Sequence, residues 1–483
     1  MKNYDIIAIG SGSSMNIVPA YLDRDPKFRA AVIDKDDPGG ICLTRGCIPT
    51  KMLVYPAELL RLIQEAEKFG IDASIKKIDF QKVMGRMRSH IKPQIEGIRK
   101  GLGHSDNIDY YPVAAEFIAP YTLKVGKETI KSKFILLCLG SEIAIPPVKG
   151  LDKIKYHTSN TILEINKLPD TIVIIGGGYV AAEYGHFFSA MGSKVTIVGR
   201  NPQFLPGEET EISRFAIEQM SGHMKIVTNH EIIEAQSGML GKKTLIAKDR
   251  KSGKTVSFTA DEVLVATGRV PNTAMLHPEK SGIELDAKGW VKTNEYMETT
   301  QPGIWAFGDA NGKHLFKHVA NEESIVTYYN AVLGKKMPMD YHAVPHAVFT
   351  YPEIAGVGMT QAEAVKVHGE TGVLIGFHKY EDTAKGTAMD ADGFVKVIVS
   401  ASDKKILGAH IVGPQASVLI QEIINLMYTP SGSILPLTKA MHIHPALSEV
   451  VERACGRFMS VAQYEHFQMH ERGEAHVEPA HHH

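Results

Sequence analysis

Short runs of apolar and β-branched residues, rather than strict alternation, set the rhythm of the first two thirds of the chain. Tyr4 to Ile9, Ala30 to Ile33, Thr171 to Ile175, Lys194 to Val198 and Val263 to Val265 each stop within a few residues at a glycine, an acid or a tight turn. Runs of this kind predict strands buried on both faces, the habit of parallel sheets. Helical spacing appears between them, as at Leu53, Ala57, Leu60 and Ile63 within residues 49–68. A further strand, Ile304 to Phe307, closes on Gly308-Asp309. From about Pro345 the texture changes. Segments at Ala347 to Phe349, Val395 to Val399 and Leu407 to Val412, with a helix near Val418 to Met427, predict an α+β unit. Beyond Tyr464 the residues turn polar and carry His466, His470, His476 and His481 to His483, which reads as a solvated extension.

The punctuation carries chemistry. The first strand runs into Gly10-Ser-Gly12-Ser-Ser-Met15, and the second ends in Asp34. Strand, glycine turn, helix and a second strand closing on an acid form the dinucleotide-binding βαβ pattern. Glycines let the backbone approach a pyrophosphate at a helix N-terminus, and the acid accepts from ribose hydroxyls. The pattern returns at Gly176-Gly177-Gly178-Tyr-Val-Ala181, whose second strand ends in Gly199-Arg200. Met15 and Ala181 stand where a third glycine is usual. Two such units in one chain point to two nucleotides far more specifically than one does.

At 483 residues and roughly 150 per domain, about three domains are expected. The net charge of −1 provides no field for nucleic acid or an anionic membrane. No apolar run approaches the ~20 residues that cross a bilayer. The N-terminus has no signal-peptide pattern, so the cytoplasm is the expected compartment. The chain has four cysteines, too few for a disulfide-stapled scaffold. Two of them lie in Gly39-Gly40-Ile41-Cys42-Leu-Thr-Arg-Gly46-Cys47-Ile-Pro49-Thr50-Lys51. Pro49 suits the first turn of a helix, which puts Cys47 at the N-terminus, where backbone dipoles favour a thiolate. If the glycines permit a bend, Cys42 comes within reach of Cys47 for redox exchange; the other reading is two buried thiols acting as small hydrophobes.

This segment resembles the flavoprotein disulfide reductases, the pyridine nucleotide–disulfide oxidoreductases. Gly-Gly-x-Cys-x4-Cys-Ile-Pro-Thr-Lys is specific to that group, and Ala266-Thr-Gly268-Arg, Gly308-Asp309 and His444-Pro-Ala-Leu-Ser-Glu449 follow in its order. Within the group, the segment through Cys47 to Tyr55, Lys317-His-Val-Ala-Asn321 and Val412 to Ser417 are most similar to mycothione reductases, with dihydrolipoyl dehydrogenases next. The resemblance implies an α/β fold with two Rossmann-like domains and a C-terminal α+β dimerisation domain. The implied divisions are 1–150 and 273–344 for FAD, 151–272 for NAD(P), 345–463 for dimerisation, and 464–483 as the tail.

By the same resemblance, Gly10, Gly12, Asp34, Gly140, Asp309 and Ala320 serve FAD. Lys51 lies near the flavin paired with Glu183, and Cys42 and Cys47 form the redox disulfide with Cys47 on the flavin side. Gly176, Gly178, Ala181, Arg200 and Gly268 serve the nicotinamide nucleotide. An acid after the second strand marks NADH users, whereas Gly199-Arg200 leans to NADPH, although Pro206 occupies the place of a second arginine. His444, oriented by Glu449, is implied to reach the disulfide of a partner subunit as the acid–base group, which makes the enzyme a homodimer. Cys138 is read as core. The substrate is expected to be a small-thiol disulfide, with a lipoyl arm as the alternative; mercuric-type metal reduction ranks lower, because no spare cysteines remain for a soft cation.

Overall fold

The glycine-bounded runs do become strands of parallel sheets. The structure, a computed structural model, describes residues 1–473; His476 and His481 to His483 lie outside the described residues. Two compact units are present, Met1–Arg200 with Asn229–Asp340, and Asn201–Thr228 with the chain from Tyr341 onward.

In the first unit, strands Ile304–Ala306, Ile135–Leu137, Ile6–Ile9, Ala30–Ile33 and Ile108–Tyr111 lie side by side in that order, all parallel. Ile6–Ile9 and Ala30–Ile33 are buried throughout, as strands covered on both faces must be. A second parallel set places His157–Thr158, Glu262–Val265, Thr171–Ile175 and Lys194–Val198 in sequence. Antiparallel strands His230–Ser237, Lys243–Asp249 and Thr255–Ala260 form a separate three-stranded sheet.

The two nucleotide-type loops repeat one construction in detail. Gly10 donates its N–H to Ile33 O at 2.7 Å, and Gly176 donates to Val198 O at 2.9 Å. Cys138 N–H bonds Ile9 O, and Ala266 N–H bonds Ile175 O, both at 2.8 Å. A Cβ on Gly10 would lie 2.0 Å from Cys138 O, and one on Gly176 would lie 2.1 Å from Ala266 O. Both glycines have positive φ, +99° and +132°, so the position excludes a side chain by sterics and by conformation together. After the first loop the chain makes a 3₁₀ turn, Ser13–Asn16, and a helix of only five residues, Val18–Leu22. After the second it runs straight into the helix Tyr179–Met191.

The second unit is built on a six-stranded antiparallel sheet in the order Pro345–Val348, Ile354–Gly358, Ile406–Val412, Phe394–Ser400, Val373–Lys379, Phe458–Ser460. Its central strands are buried along nearly their whole length. One face packs Val395, Val397, Ala409 and Ile411 beneath the helices Gln421–Met427 and Ser448–Gly456. The other packs Ile398 and Val373 against Val461 and Tyr464. Those two residues belong to a helix, Val461–Glu471, opened by a capping box between Ser460 and Gln463. The polar extension expected from residue 464 therefore begins inside a packed helix, with Phe467 against the same cluster.

Candidate functional site

Gly39 and Gly40 turn the chain through left-handed conformations, φ +109° and +76°, into the short helix Gly40–Thr44 that carries Cys42. The helix Cys47–Glu65 starts at the second cysteine. Between them, a Cβ on Gly46 would sit 2.9 Å from Ile41 O and 3.3 Å from Cys42 Cα. Gly46 thus lets the loop fold back until the two thiols touch. Both are free thiols, and Cys42 donates its S–H to Cys47.

This contact splits their acidity. The Cys42 hydrogen bond, opposed by burial and helped by Lys51 and the helix N–H of Cys47 itself, brings Cys47 down to about 7. Cys42 moves the other way, held protonated by its bond to Cys47 and by burial. The reduced pair therefore carries its negative charge on Cys47, at a helix N-terminus as dipole chemistry favours.

Lys51 lies one turn further along the same helix. Its Nζ meets both carboxylate oxygens of Glu183 at 2.6 Å, and Glu183 is only 7% exposed. The ammonium is thus anchored beside the thiolate by a buried partner from the helix after the second glycine loop. A shallow cavity of about 410 Å³ opens here, lined by Cys47, Ile48, Lys51, Met52, Tyr55 and Arg86.

The first loop offers a cradle for a phosphate-bearing nucleotide. Gly12 and Gly40 approach so closely that a Cβ on Gly40 would stand 2.8 Å from Gly12 Cα. Asp34 ends the second strand, and its carboxylate is oriented by Ser11 N–H at 2.8 Å and Ser11 Oγ at 2.5 Å. Asp309 accepts from Ser141 Oγ and lies 3.7 Å from Arg269 Nε. Gly140 and Gly268 both take positive φ in the turns that follow their strands. Gly178 caps the helix of the second loop, and Ala181 is fully buried inside it. Arg200 is exposed at the end of the Lys194–Val198 strand.

Ala320 lies in the first turn of the helix Lys317–Thr327, its N–H bonded to Phe316 O at 3.0 Å. The orphan N–H groups of a helix belong to the residues before such a fourth position. Cys138 is not a core thiol. It is half-buried in the turn against the first glycine loop, 3.9 Å from where a Gly12 Cβ would stand, and burial pushes it up to about 11. Cys455 does pack in a core, at 1% exposure.

Several residues of the site escaped sequence reasoning. Glu323, fully buried, accepts from Gly308 N–H at 2.6 Å and Asn311 Nδ2 at 2.9 Å, which fixes the turn bearing Asp309. Its signal was available: an acid among Val319, Ala320, Ser324, Val326 and Thr327 on the buried side of its helix. Lys317 Nζ donates to Ser13 Oγ at 2.8 Å, and Arg269 Nε donates to Ser141 Oγ at 2.5 Å. Those links join segments far apart in sequence and leave no local pattern.

In the second unit, His444 Nδ1 lies 3.0 Å from Glu449 Oε1. Glu449 also accepts from Ala446 N–H at 3.3 Å, and the His444 contact, working against burial, holds its carboxyl below the usual carboxylate pKa. The His444 side chain is 66% exposed, flanked by Met441 at 100% and Ile443 at 77%. His442 instead turns inward, 3.4 Å from Glu422. Among the described residues no His, Cys, Asp or Glu cluster is arranged for a metal ion, and no helix is long and apolar enough to cross a membrane.

Residues 4–333 match the pyridine nucleotide-disulphide oxidoreductase family, and 344–455 match the dimerisation domain of the same enzymes. The chain belongs to this family. It is 36% identical to mycothione reductase of Mycobacterium tuberculosis over 468 residues, covering 94% of this chain and 99% of that protein. Dihydrolipoyl dehydrogenase of Thermus scotoductus is 32% identical, covering 93% and 96%. Among solved structures, the HOCl-induced flavoprotein disulfide reductase RclA from Escherichia coli, in a Cu(II) complex, superposes with a TM-score of 0.82 at 25% identity, covering 94% and 99%. The expected fold class and enzyme class follow, with FAD and a nicotinamide nucleotide as the cofactors of the family. The dimerisation domain makes the protein a homodimer.

Proposed function

We propose that this pyridine nucleotide-disulfide oxidoreductase uses NADPH to reduce a small-thiol disulfide through Cys42 and Cys47. The observation that carries the reading is the thiol pair itself, in contact, with Cys47 made more acidic at a helix N-terminus beside an anchored lysine. The steric cradle at Gly10, Gly12 and Gly40, with Asp34, Asp309 and the Lys51–Glu183 pair, fits FAD; Gly140 and the helix start before Ala320 complete its surroundings. Bound there, FAD supplies two-electron transfer between nicotinamide and the cysteines. Gly176, Gly178, Ala181, Gly268 and Arg200 hold the nicotinamide nucleotide.

In the reduced pair, Cys42 is the thiol that attacks the substrate disulfide, and Cys47 then closes on Cys42 and expels the substrate thiolate. Cys42 must lose its proton as it attacks, and the leaving thiolate must gain one. We assign that role to His444 acting on the partner subunit; its contact with Glu449 and its exposure on its own chain support the reading. Neither subunit alone then has a complete site.

A second reading, dihydrolipoyl dehydrogenase, is supported by relatives of similar coverage. Steady-state assays separate them. NADPH with a panel of low-molecular-weight disulfides should exceed dihydrolipoamide with NAD in kcat/KM; the reverse order assigns the second reading. The reducing cytoplasm is the compartment in which such a thiol pair serves best.

A further inference from the structure

NADPH differs from NADH by a 2′-phosphate, and Arg200 alone is thin provision for a dianion. Pro206 stands where the spacing of NADPH users expects a second arginine. The structure supplies another from a different direction. Strands Lys243–Asp249 and Thr255–Ala260 are joined by a turn whose first residue is Arg250. Arg250 Nη1 donates to Arg200 O at 3.0 Å, so a guanidinium lies across the end of the strand that delivers Arg200.

The turn is braced to hold it there. Arg250 N–H bonds Asn229 O at 2.9 Å, and His230 N–H bonds Gly199 O at 2.9 Å, which ties the hairpin to the strand end. Asp249, the nearest acid in sequence, is occupied within the turn. Its Oδ1 accepts from Asn229 Nδ2 and Lys251 N–H, both at 2.9 Å, and its Oδ2 accepts from Ser252 Oγ at 2.5 Å. Among the described residues neither Arg200 nor Arg250 has a carboxylate partner, and both are exposed. With no carboxylate on either, the two arginines of this strand end leave positive charge that an anion can neutralise. Arg250 spends one of its five N–H groups on the carbonyl and keeps four for such an anion.

We infer that Arg250, with Arg200, forms the clamp for the 2′-phosphate of NADPH. The inference rests on the NADPH reading of the second nucleotide loop. Buried Gly199 contributes by presenting no carboxylate at that edge; a Cβ there would already touch Gly177 Cα at 3.4 Å.

The test uses the FAD-loaded dimer and two fragments, 2′,5′-ADP and 5′-AMP, with binding measured by calorimetry and NADPH and NADH kinetics run in parallel. The wild type should bind 2′,5′-ADP more tightly. Arg250→Gln and Arg200→Gln should each weaken 2′,5′-ADP binding by roughly 10- to 100-fold, the worth of one charge-assisted contact, and shift 5′-AMP less than twofold. Arg250→Lys should recover part of the loss. Equal binding of both fragments by the wild type overturns the NADPH reading and the clamp with it. A wild-type preference that Arg200→Gln removes and Arg250→Gln leaves intact overturns the clamp alone. Parallel loss of both fragments in Arg250→Gln shows a merely structural hairpin residue, and likewise overturns it.

Discussion

Replacing Cys42 by alanine removes the donor that holds the Cys47 thiolate, and the consequence is a measurable shift in acidity. Cys47 stands at about 7, with the Cys42 hydrogen bond as the largest cause. A hydrogen bond to a charged acceptor is worth about 1.5–3 kcal/mol, and one pKa unit corresponds to about 1.36 kcal/mol. Cys42→Ala should therefore raise Cys47 by about one to two units. The sign follows from which form is favoured: the contact stabilises the thiolate, so the thiolate is present above about pH 7 and lost as pH falls through it. In the variant that loss occurs at higher pH. The assay is ultraviolet thiolate absorbance of the reduced protein against pH, with Cys42→Ala/Cys47→Ala subtracted as blank. A midpoint unmoved by Cys42→Ala would mean that Lys51 and the helix terminus alone hold the charge, and would refute the reasoning.

Other expectations concern the second unit. His444→Gln should lower disulfide turnover roughly 10²- to 10⁴-fold while leaving flavin reduction by NADPH at its wild-type rate in stopped flow. Lys396, 1% exposed, bridges Glu211 at 2.5 Å and Glu209 at 3.2 Å, and overrules the burial that would raise Glu211. Lys396→Met removes the cation shared by buried Glu209 and partly buried Glu211 and should destabilise the protein by about 3–5 kcal/mol in chemical denaturation. Ile443→Asp, which charges an exposed apolar side chain next to His444, should weaken the dimer in sedimentation velocity and reduce disulfide turnover together.

Legibility from the sequence followed the range of the interaction. Gly10 and Gly176 could be read because each serves a local strand-to-turn geometry, and each proves sterically obligatory against the carbonyl of Cys138 or Ala266. Cys42 and Cys47 could be read because their glycines lie in the same short segment. Arg250 could not, since it meets Arg200 only through the register of a separate antiparallel sheet, whereas Glu323 leaves a signal, an acid on the buried side of its helix. Residues 464–471 read as tail because Tyr464 is the one buried residue among them, although Ser460 and Gln463 spell the capping box that opens their helix. Strands Ile354–Gly358 and Val373–Lys379 carry internal glycines, Gly356 and Gly376, that mute their pattern; Gly376 is needed because a Cβ there would lie 2.0 Å from Ala454 O.

The central claim is that electrons from nicotinamide pass through Cys42 and Cys47. Its most direct test is to reduce the oxidised, FAD-loaded dimer with one equivalent of NADPH per chain without oxygen, then alkylate in denaturant and map the labelled cysteines by mass spectrometry. The account predicts that Cys42 and Cys47 become labelled together only after NADPH, while Cys138 and Cys455 label equally before and after. Flavin reduction with no new label on Cys42 and Cys47 would contradict it.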